Sequence, residues 1–351
     1  MTGLFYSTLC VTVIFLYGCI GETITEKSGH LNLGTPGVMC MGALGGYVGC
    51  KVYTDIYGLE AILNNGAGST FLGILLPVVF CFVLSGLAGL LYCFLVDTLK
   101  CNQNITGLVI TTLGVAMLKY FGSTLCGIGA DDYSSYNVVQ YGDAFKVVGR
   151  DYFQSYLPQA LKEAINANPN ANWFAHIFLN HGFLFYLSFI VAIVVFIIIR
   201  FTRIGLSLRA VGENPGTSDA SGINVNKYKY LATVIGSWIC GLGGLYFYLE
   251  FSAGNPNYEQ LDSYGWVAVA LVIFSIWNTA ISIGGSLLFA FLYSLPGSSL
   301  FNGVVGRWKL ELIKAIPYVV TIIVLVIISM LGKRETQPPS ALGQSYYRED
   351  R

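Results

Sequence analysis

The sequence predicts an all-α polytopic membrane protein with about nine transmembrane helices, within a range of about eight to ten. Of its 351 residues, 54% are hydrophobic and only 11% are charged, whereas soluble domains carry roughly 25% charged residues. Several tracts that are long enough for a span of about 20 residues contain no Asp, Glu, Lys or Arg. The apolar runs are continuous rather than alternating, which favours helices over a transmembrane β-barrel.

Each predicted helix lies on one of these charge-free tracts, and the tract over residues 263–306 is long enough for two. The predicted helices cover residues 3–21, 35–53, 71–97, 105–126, 182–201, 229–250, 264–279, 281–297 and 314–332. The short segments 35–53 and 281–297 leave re-entrant or interrupted helices open as an alternative. We predict that residues 1–351 form a single membrane domain.

Basic residues predict an outside N-terminus and a cytoplasmic C-terminus. Cytoplasmic segments of membrane proteins carry an excess of Lys and Arg. The basic residues of two segments fall on the same side in this topology: Arg200, Arg203, Arg209, Lys227, Lys229, and Lys333, Arg334, Arg348, Arg351. Residues 202–228 are then a cytoplasmic loop, residues 333–351 a cytoplasmic tail and residues 127–181 an extracytoplasmic insert. We expect a multi-pass protein of the cell inner or plasma membrane.

Common enzyme and metal motifs are missing from the sequence. It contains no GxxxxGK[ST] phosphate-binding loop, no HExxH and no GxSxG. The nine cysteines form no CxxC pair and lie mostly in apolar tracts, where cysteine behaves as a small hydrophobic residue. The histidines His30, His176 and His181 are predicted to pack at interfaces. We therefore predict no catalytic residue, no metal site and no cofactor, and the zero net charge argues against nucleic-acid binding.

Charged side chains are nearly absent from the predicted spans. Lys119 and Glu250 lie near span ends, from which their polar groups can extend to the membrane interface. A secondary transporter usually holds its coupling ion with intramembrane acids, so this pattern disfavours an ion-coupled carrier. Backbone carbonyls also bind sodium, and the ion-coupled secondary transporter therefore stays as the alternative. An intramembrane enzyme is disfavoured because the sequence indicates no paired acids or metal ligands that would face a common site.

The loop over residues 202–228 contains the most informative pattern. Asn214 is a good N-cap, Pro215 suits the first position of a helix, and Gly222 suits the left-handed residue after its end. The pattern predicts a helix of about two turns over residues 214–222. Such a short helix is not stable alone, so flanking chain or a partner must hold it. An ordinary capped loop and a docking element for a cytoplasmic motor are both compatible with this.

The string RAVGENPGTSDASGINV, residues 209–225, resembles the coupling loop of ABC importer permeases. The similarity is to the branched-chain amino acid and monosaccharide superfamily, and most to permeases for nucleosides, riboflavin and simple sugars that work with a basic-membrane-lipoprotein-type binding protein. Three further stretches resemble signatures of this family: EKSGHLNLG at 26–34, FSIWN at 274–278 and ALGQSYYRE at 341–349. Residues 127–181 do not match the family pattern.

The resemblance implies one half of a heterodimeric pore in the lipid bilayer that works by alternating access. Its partners would be a cytoplasmic ABC ATPase, a second homologous permease subunit and an extracytoplasmic substrate-binding lipoprotein. The residues expected to couple the pore to the ATPase are Arg209, Glu213, Asn214, Pro215, Asp219 and Gly222. Polar and aromatic side chains in the predicted spans are candidates for the substrate path: Asn32, Thr106, Trp266 and Asn278.

Overall fold

The computed structural model describes residues 2–58, 67–126, 177–252, 257–296 and 337–347, together with Phe145 and isolated positions between 315 and 330. All regular secondary structure within these residues is helical. We number the helices in chain order: α1 (Thr2–Lys27), α2 (Thr35–Tyr57), α3 (Ala67–Cys93, continued by a π-turn over Phe94–Thr98), α4 (Gln103–Cys126), α5 (Phe183–Phe201), α6 (Arg203–Glu213), α7 (Pro215–Ala220), α8 (Val225–Tyr246, continued by a π-turn over Phe247–Phe251), α9 (Tyr258–Phe274) and α10 (Thr279–Ser294).

The predicted helices from 3–21 to 281–297 are all present, although several of their ends differ. Helix α1 continues to Lys27 and α9 begins at Tyr258, since both helices include charged residues that the prediction treated as boundaries. Helix α2 runs without interruption for 23 residues, so the interrupted alternative does not hold for this segment. Most of the insert 127–181 lies outside the described residues, which include only Phe145 and residues 177–181 of it, and the predicted helix 314–332 is described only at 315–317, 319–323, 326 and 330.

Helices α1, α2 and α8 form the centre of the bundle. Helix α1 packs mainly against α8, α9 and α10, while α2 packs against α3, α4 and α8. Glycines allow the backbones of α2 and α8 to approach closely, because a Cβ atom at Gly42 would lie 2.4 Å from the Cα of Gly241. Such small-residue contacts are typical of helix pairs in membranes.

Five of the described helices are long and apolar enough to cross a bilayer, namely α1, α3, α4, α5 and α8. The outer helices α3, α4 and α5 expose large apolar side chains that a soluble protein would bury. Examples on α3 and α5 are Leu75, Val79, Val83, Leu87, Ile190 and Ile193. This surface is suited to lipid, and the chain is a multi-pass membrane protein.

Both segments that the prediction placed in the cytoplasm lie at one end of the bundle. We call this the loop end and define it by residues 27–34, 97–103, 202–225 and 337–347. The Ala341 N–H donates to the Gly212 carbonyl at 3.0 Å, and the Leu31 N–H donates to Gln103 Oε1 at 2.7 Å. The grouping of residues 202–225 with the tail agrees with their predicted location on one side of the membrane, and the side itself stays a prediction.

At the opposite end of the bundle, the starts of α1 and α5 meet the end of α8. The Tyr6 hydroxyl contacts the Asn180 carbonyl at 3.4 Å, and the Leu184 N–H donates to Glu250 Oε1 at 3.2 Å. The N-terminus of α1 is therefore separated from the loop end by the length of the helix.

Cys101 allows a test of the orientation because it is exposed at the loop end, whereas seven other cysteines are buried: Cys10, Cys19, Cys40, Cys50, Cys81, Cys93 and Cys240. In a Cys126→Ser background, a membrane-impermeant maleimide should label Cys101 in inside-out vesicles and not in intact cells. A Cys101→Ser variant measures background labelling. Equal labelling of Cys101 in intact cells would place the loop end outside and reverse the predicted topology.

Candidate coupling surface

A side-chain cap begins each of the three helices that start within residues 202–228. Thr202 accepts a hydrogen bond from the Gly205 N–H at 3.2 Å and begins α6. Asn214 accepts from the Thr217 N–H at 3.0 Å and begins α7, with Pro215 as its first residue. Asn224 caps α8 in the same way. The predicted N-cap is confirmed, and α7 is a six-residue helix between two longer ones.

Gly222 ends α7 in the left-handed conformation, with φ of 85°. The Gly222 N–H donates to the Asp219 carbonyl and the Ile223 N–H donates to the Ser218 carbonyl, both at 3.0 Å. This pair of bonds is the Schellman motif, which favours glycine at the left-handed position. The prediction for Gly222 is therefore confirmed as local geometry.

The charged residues predicted to couple the pore lie around two cavities at the loop end. Arg209 and Glu213 line one of about 330 Å³ together with Lys27 and Pro339. Asp219 lines a second one of about 720 Å³, which extends to residues 97–100, 222–226 and 346–347. Asn214 and Pro215 lie at the break between α6 and α7. The six predicted coupling residues all lie within residues 202–225 of the loop end, which we call the coupling surface after their predicted role. That role stays a prediction.

The coupling surface is in tight contact with the end of α1. A Cβ atom at Gly212 on α6 would lie 2.2 Å from the carbonyl oxygen of Lys27. Only glycine permits this approach of two backbones. Helix α6 is therefore in direct backbone contact with the end of α1.

The residues predicted for the substrate path mostly use their polar groups within the chain. Asn32 is buried, accepts from the Gly34 N–H at 2.9 Å and donates to Glu22 at 3.3 Å. Thr106 Oγ1 donates to the Asn102 carbonyl just before α4, and Asn278 Oδ1 accepts from the Ala280 N–H in the first turn of α10. Trp266 is 37% exposed. A role for these four residues in the path stays a prediction.

A buried ion cluster at the loop end was missed by sequence reasoning. His30 Nε2 lies 3.0 Å from Asp97 Oδ2, and Lys229 Nζ lies 3.9 Å from Asp97 Oδ1, with all three side chains buried. The second ring nitrogen of His30 hydrogen-bonds Thr233 at 2.8 Å. Burial lowers the pKa of His30, and the neighbouring Asp97 opposes this shift. The sequence predicted only packing at an interface for His30, and the structure adds that its ring joins three segments at the loop end.

Two further carboxylates lie in the last two turns of α1, beyond the predicted span 3–21, because the helix continues to Lys27. Glu22 and Glu26 are buried. Glu22 accepts from Thr35 Oγ1 at 2.5 Å, and Glu26 accepts from the indole N–H of Trp277. The bonded partners of both carboxylates are not revealed by the local sequence pattern, and Glu22 Oε1 is buried without a hydrogen-bond partner among the described residues.

Glu250 also departs from its prediction. Its side chain is buried, and its carboxylate accepts the Leu184 N–H instead of extending to the membrane interface. The carboxylate thus supports the first turn of α5 at the end of the bundle opposite the coupling surface.

His30, Cys93 and Asp97 offer ligand atoms within 4.8 Å of one another, a spacing that a metal ion requires. Lys229 supplies positive charge to the same carboxylate. An ammonium group at this position opposes the binding of a cation, so the cluster is better explained as an internal ion pair with a neutral histidine.

Comparison with known proteins identifies the class. The family described as "Branched-chain amino acid transport system / permease component" matches residues 4–328. A putative glucose ABC transporter permease protein of Haloferax volcanii is 30% identical, with 99% of this chain and 98% of the relative covered. A nucleoside ABC transporter permease protein of Lactococcus lactis is 28% identical over 94% and 92%, and a guanosine ABC transporter permease protein of Bacillus subtilis is 24% identical over 98% and 96%.

The chain therefore belongs to the family of branched-chain amino acid transport system permease components. Membership favours a permease of an ABC importer over an ion-coupled carrier. No solved structure matches the chain.

The ion cluster gives a stability prediction. Lys229→Met leaves Asp97 buried without its cation, and such a loss costs about 3 kcal/mol or more. The exposed Lys227 is the matched control, and Lys227→Met should change stability by less than about 0.5 kcal/mol. Thermal unfolding of the purified protein in detergent measures both.

The double variant Asp97→Asn/Lys229→Met removes both charges and should recover most of the loss, because the two residues compensate each other. Additive losses in the double variant would show that Asp97 and Lys229 are not a coupled pair.

Proposed function

We propose that this chain is the permease subunit of an ABC importer for a nucleoside or a simple sugar, and that the cytoplasmic ATPase docks on α7. The observation that carries the proposal is the geometry of α7, a short helix capped at both ends and presented between α6 and α8 at the loop end. The names of the relatives support the ATP-driven class and the two kinds of solute.

The absence of a GxxxxGK[ST] phosphate-binding loop agrees with a division of labour between subunits. In the proposed importer, ATP binds to a separate subunit. A second homologous permease completes the pore, and an extracytoplasmic lipoprotein delivers the solute. The insert over residues 127–181 is proposed to contact the lipoprotein or the second permease on the outer side.

Motion of α7 has two direct routes into the bundle. Helix α8 follows α7 after the turn at Gly222, and α6 precedes it and touches α1 through Gly212. Helices α1 and α8 pack against each other at the centre. ATP binding can drive alternating access because the contacts of α7 with the ATPase differ between the two states, as linkage requires.

The buried Glu22 and Glu26 are the kind of residue that an ion-coupled carrier uses. Their hydrogen bonds to Thr35 and Trp277 give them a structural role instead. Uptake by reconstituted vesicles separates the two mechanisms, since the proposed importer requires ATP and is insensitive to ionophores. Ionophore-sensitive uptake without ATP would support the carrier.

Gly222→Val should uncouple the permease. A β-branched residue at a positive φ costs on the order of 1–2 kcal/mol, so the end of α7 shifts or frays, although no atom lies near enough to clash with a new Cβ. We expect normal membrane insertion and reduced substrate-stimulated ATP hydrolysis in vesicles that contain the complete transporter.

Gly216→Ala is the matched control, because Gly216 lies inside α7 and a Cβ there meets only Asn214 Oδ1 at an ordinary 3.6 Å. It should preserve or slightly improve coupling. Asp219→Lys, which reverses a charge on the docking surface, should also weaken recovery of the ATPase with the permease. If both Gly222→Val and Asp219→Lys leave recovery of the ATPase and substrate-stimulated ATP hydrolysis unchanged, α7 only connects α6 and α8 and is not the docking site.

A further inference from the structure

The C-terminal tail, residues 337–347, lies along the coupling surface and contacts both sides of the break at Asn214. On the α6 side, Ser340 Oγ donates to Glu213 Oε2 at 2.8 Å and the Ala341 N–H donates to the Gly212 carbonyl at 3.0 Å. On the α7 side, the Tyr346 hydroxyl donates to Asp219 Oδ2 at 3.0 Å. The tail therefore bonds to two of the charged residues predicted to couple the pore.

The same tail is also fixed to the rest of the loop end. The Gly343 N–H donates to the Gly29 carbonyl at 3.2 Å, and Gln103 Nε2 donates to the Gln344 carbonyl at 3.2 Å. Lys100 Nζ donates to the Tyr346 carbonyl at 2.7 Å. Tyr346 thus receives a bond from the segment that follows α3 and gives one to α7.

These contacts of the tail support α7, which is too short to be stable alone. The extended backbone of Asn214 also separates α7 from α6. A load on α7 would bend the chain at this point unless a second support opposed it. The tail supplies that support because it spans the break and is bonded to the bundle at residues 29, 100 and 103.

We propose that residues 337–347 form a strap that holds α7 in position for the ATPase, with Tyr346 as the positioning residue for Asp219. This proposal rests on the proposed function of α7. The strap adds no contact to the solute. Its role is mechanical. When the strap is in place, motion of the ATPase passes through α7 to α1 and α8; without the strap, the chain bends at Asn214 and less of the motion reaches these helices.

Tyr346→Phe tests the strap because it removes only the hydroxyl that bonds Asp219. In vesicles with the complete transporter, we expect substrate-stimulated ATP hydrolysis to fall by about threefold to tenfold, the range for one ordinary intramolecular hydrogen bond. Thermal stability and recovery of the ATPase should stay at the wild-type level. Tyr347→Phe is the matched control, since it keeps the ring that lies 5.4 Å from Lys100 Nζ, and it should leave stimulation unchanged.

A double-mutant cycle tests whether Tyr346 acts through Asp219. Asp219→Ala should reduce stimulation, and adding Tyr346→Phe should reduce it little further, because the shared bond is already absent. Asp219→Asn retains an acceptor oxygen and should restore part of the stimulation relative to Asp219→Ala.

The outcomes separate the strap from the proposed function. The strap is overturned if Tyr346→Phe retains full substrate-stimulated ATP hydrolysis, or if the Tyr346 and Asp219 variants act independently in the double-mutant cycle. In either case Gly222→Val should still uncouple the transporter if the proposed function is right. If Gly222→Val also leaves ATPase recovery and stimulation unchanged, the proposed function fails and the strap fails with it.

Discussion

The loop end depends on the buried carboxylate of Asp97, whose charge is compensated by Lys229 and which also contacts His30. This carboxylate follows α3, Lys229 lies in the first turns of α8, and His30 lies between α1 and α2. A buried charge without its partner costs several kcal/mol, so these three segments must stay together. The coupling surface is built on this unit, because Lys100 holds the tail three residues after Asp97 and α8 begins just after Gly222.

The central helices connect the loop end to the rest of the bundle. Helix α1 is joined to α6 by the backbone contact at Gly212 and to the turn between α9 and α10 by the bond of Glu26 with Trp277. Ile276 and Trp277 both have positive φ, 55° and 51°, a strained conformation for such residues. A shift of α1 would therefore act on a turn that is already strained, while the outer helices α3, α4 and α5 face lipid.

The sequence was most informative where structure is local. Charge-free tracts placed the helices, and Asn214, Pro215 and Gly222 specified the two ends of α7 because caps depend on a few adjacent residues. Sequence reasoning failed where the partners are distant: Glu26 meets Trp277 and Asp97 meets Lys229 only in the folded bundle. A carboxylate near the end of an apolar tract is compatible with both an exposed span end and a buried pair, so the pattern alone could not separate them. The docking of the tail on α7 was hidden for the same reason.

Direct detection of the contact between α7 and the ATPase tests the central claim. Thr217 is exposed on α7, and a photoreactive benzophenone amino acid at this position should crosslink to the ATPase subunit in membranes that contain the complete transporter. The same amino acid at Ile190, which is exposed on the outer helix α5, should give no such product. Crosslinking of the ATPase from position 217, and its absence from position 190, is the predicted result. A transporter that retains its ATPase but gives no product from position 217 would contradict docking on α7.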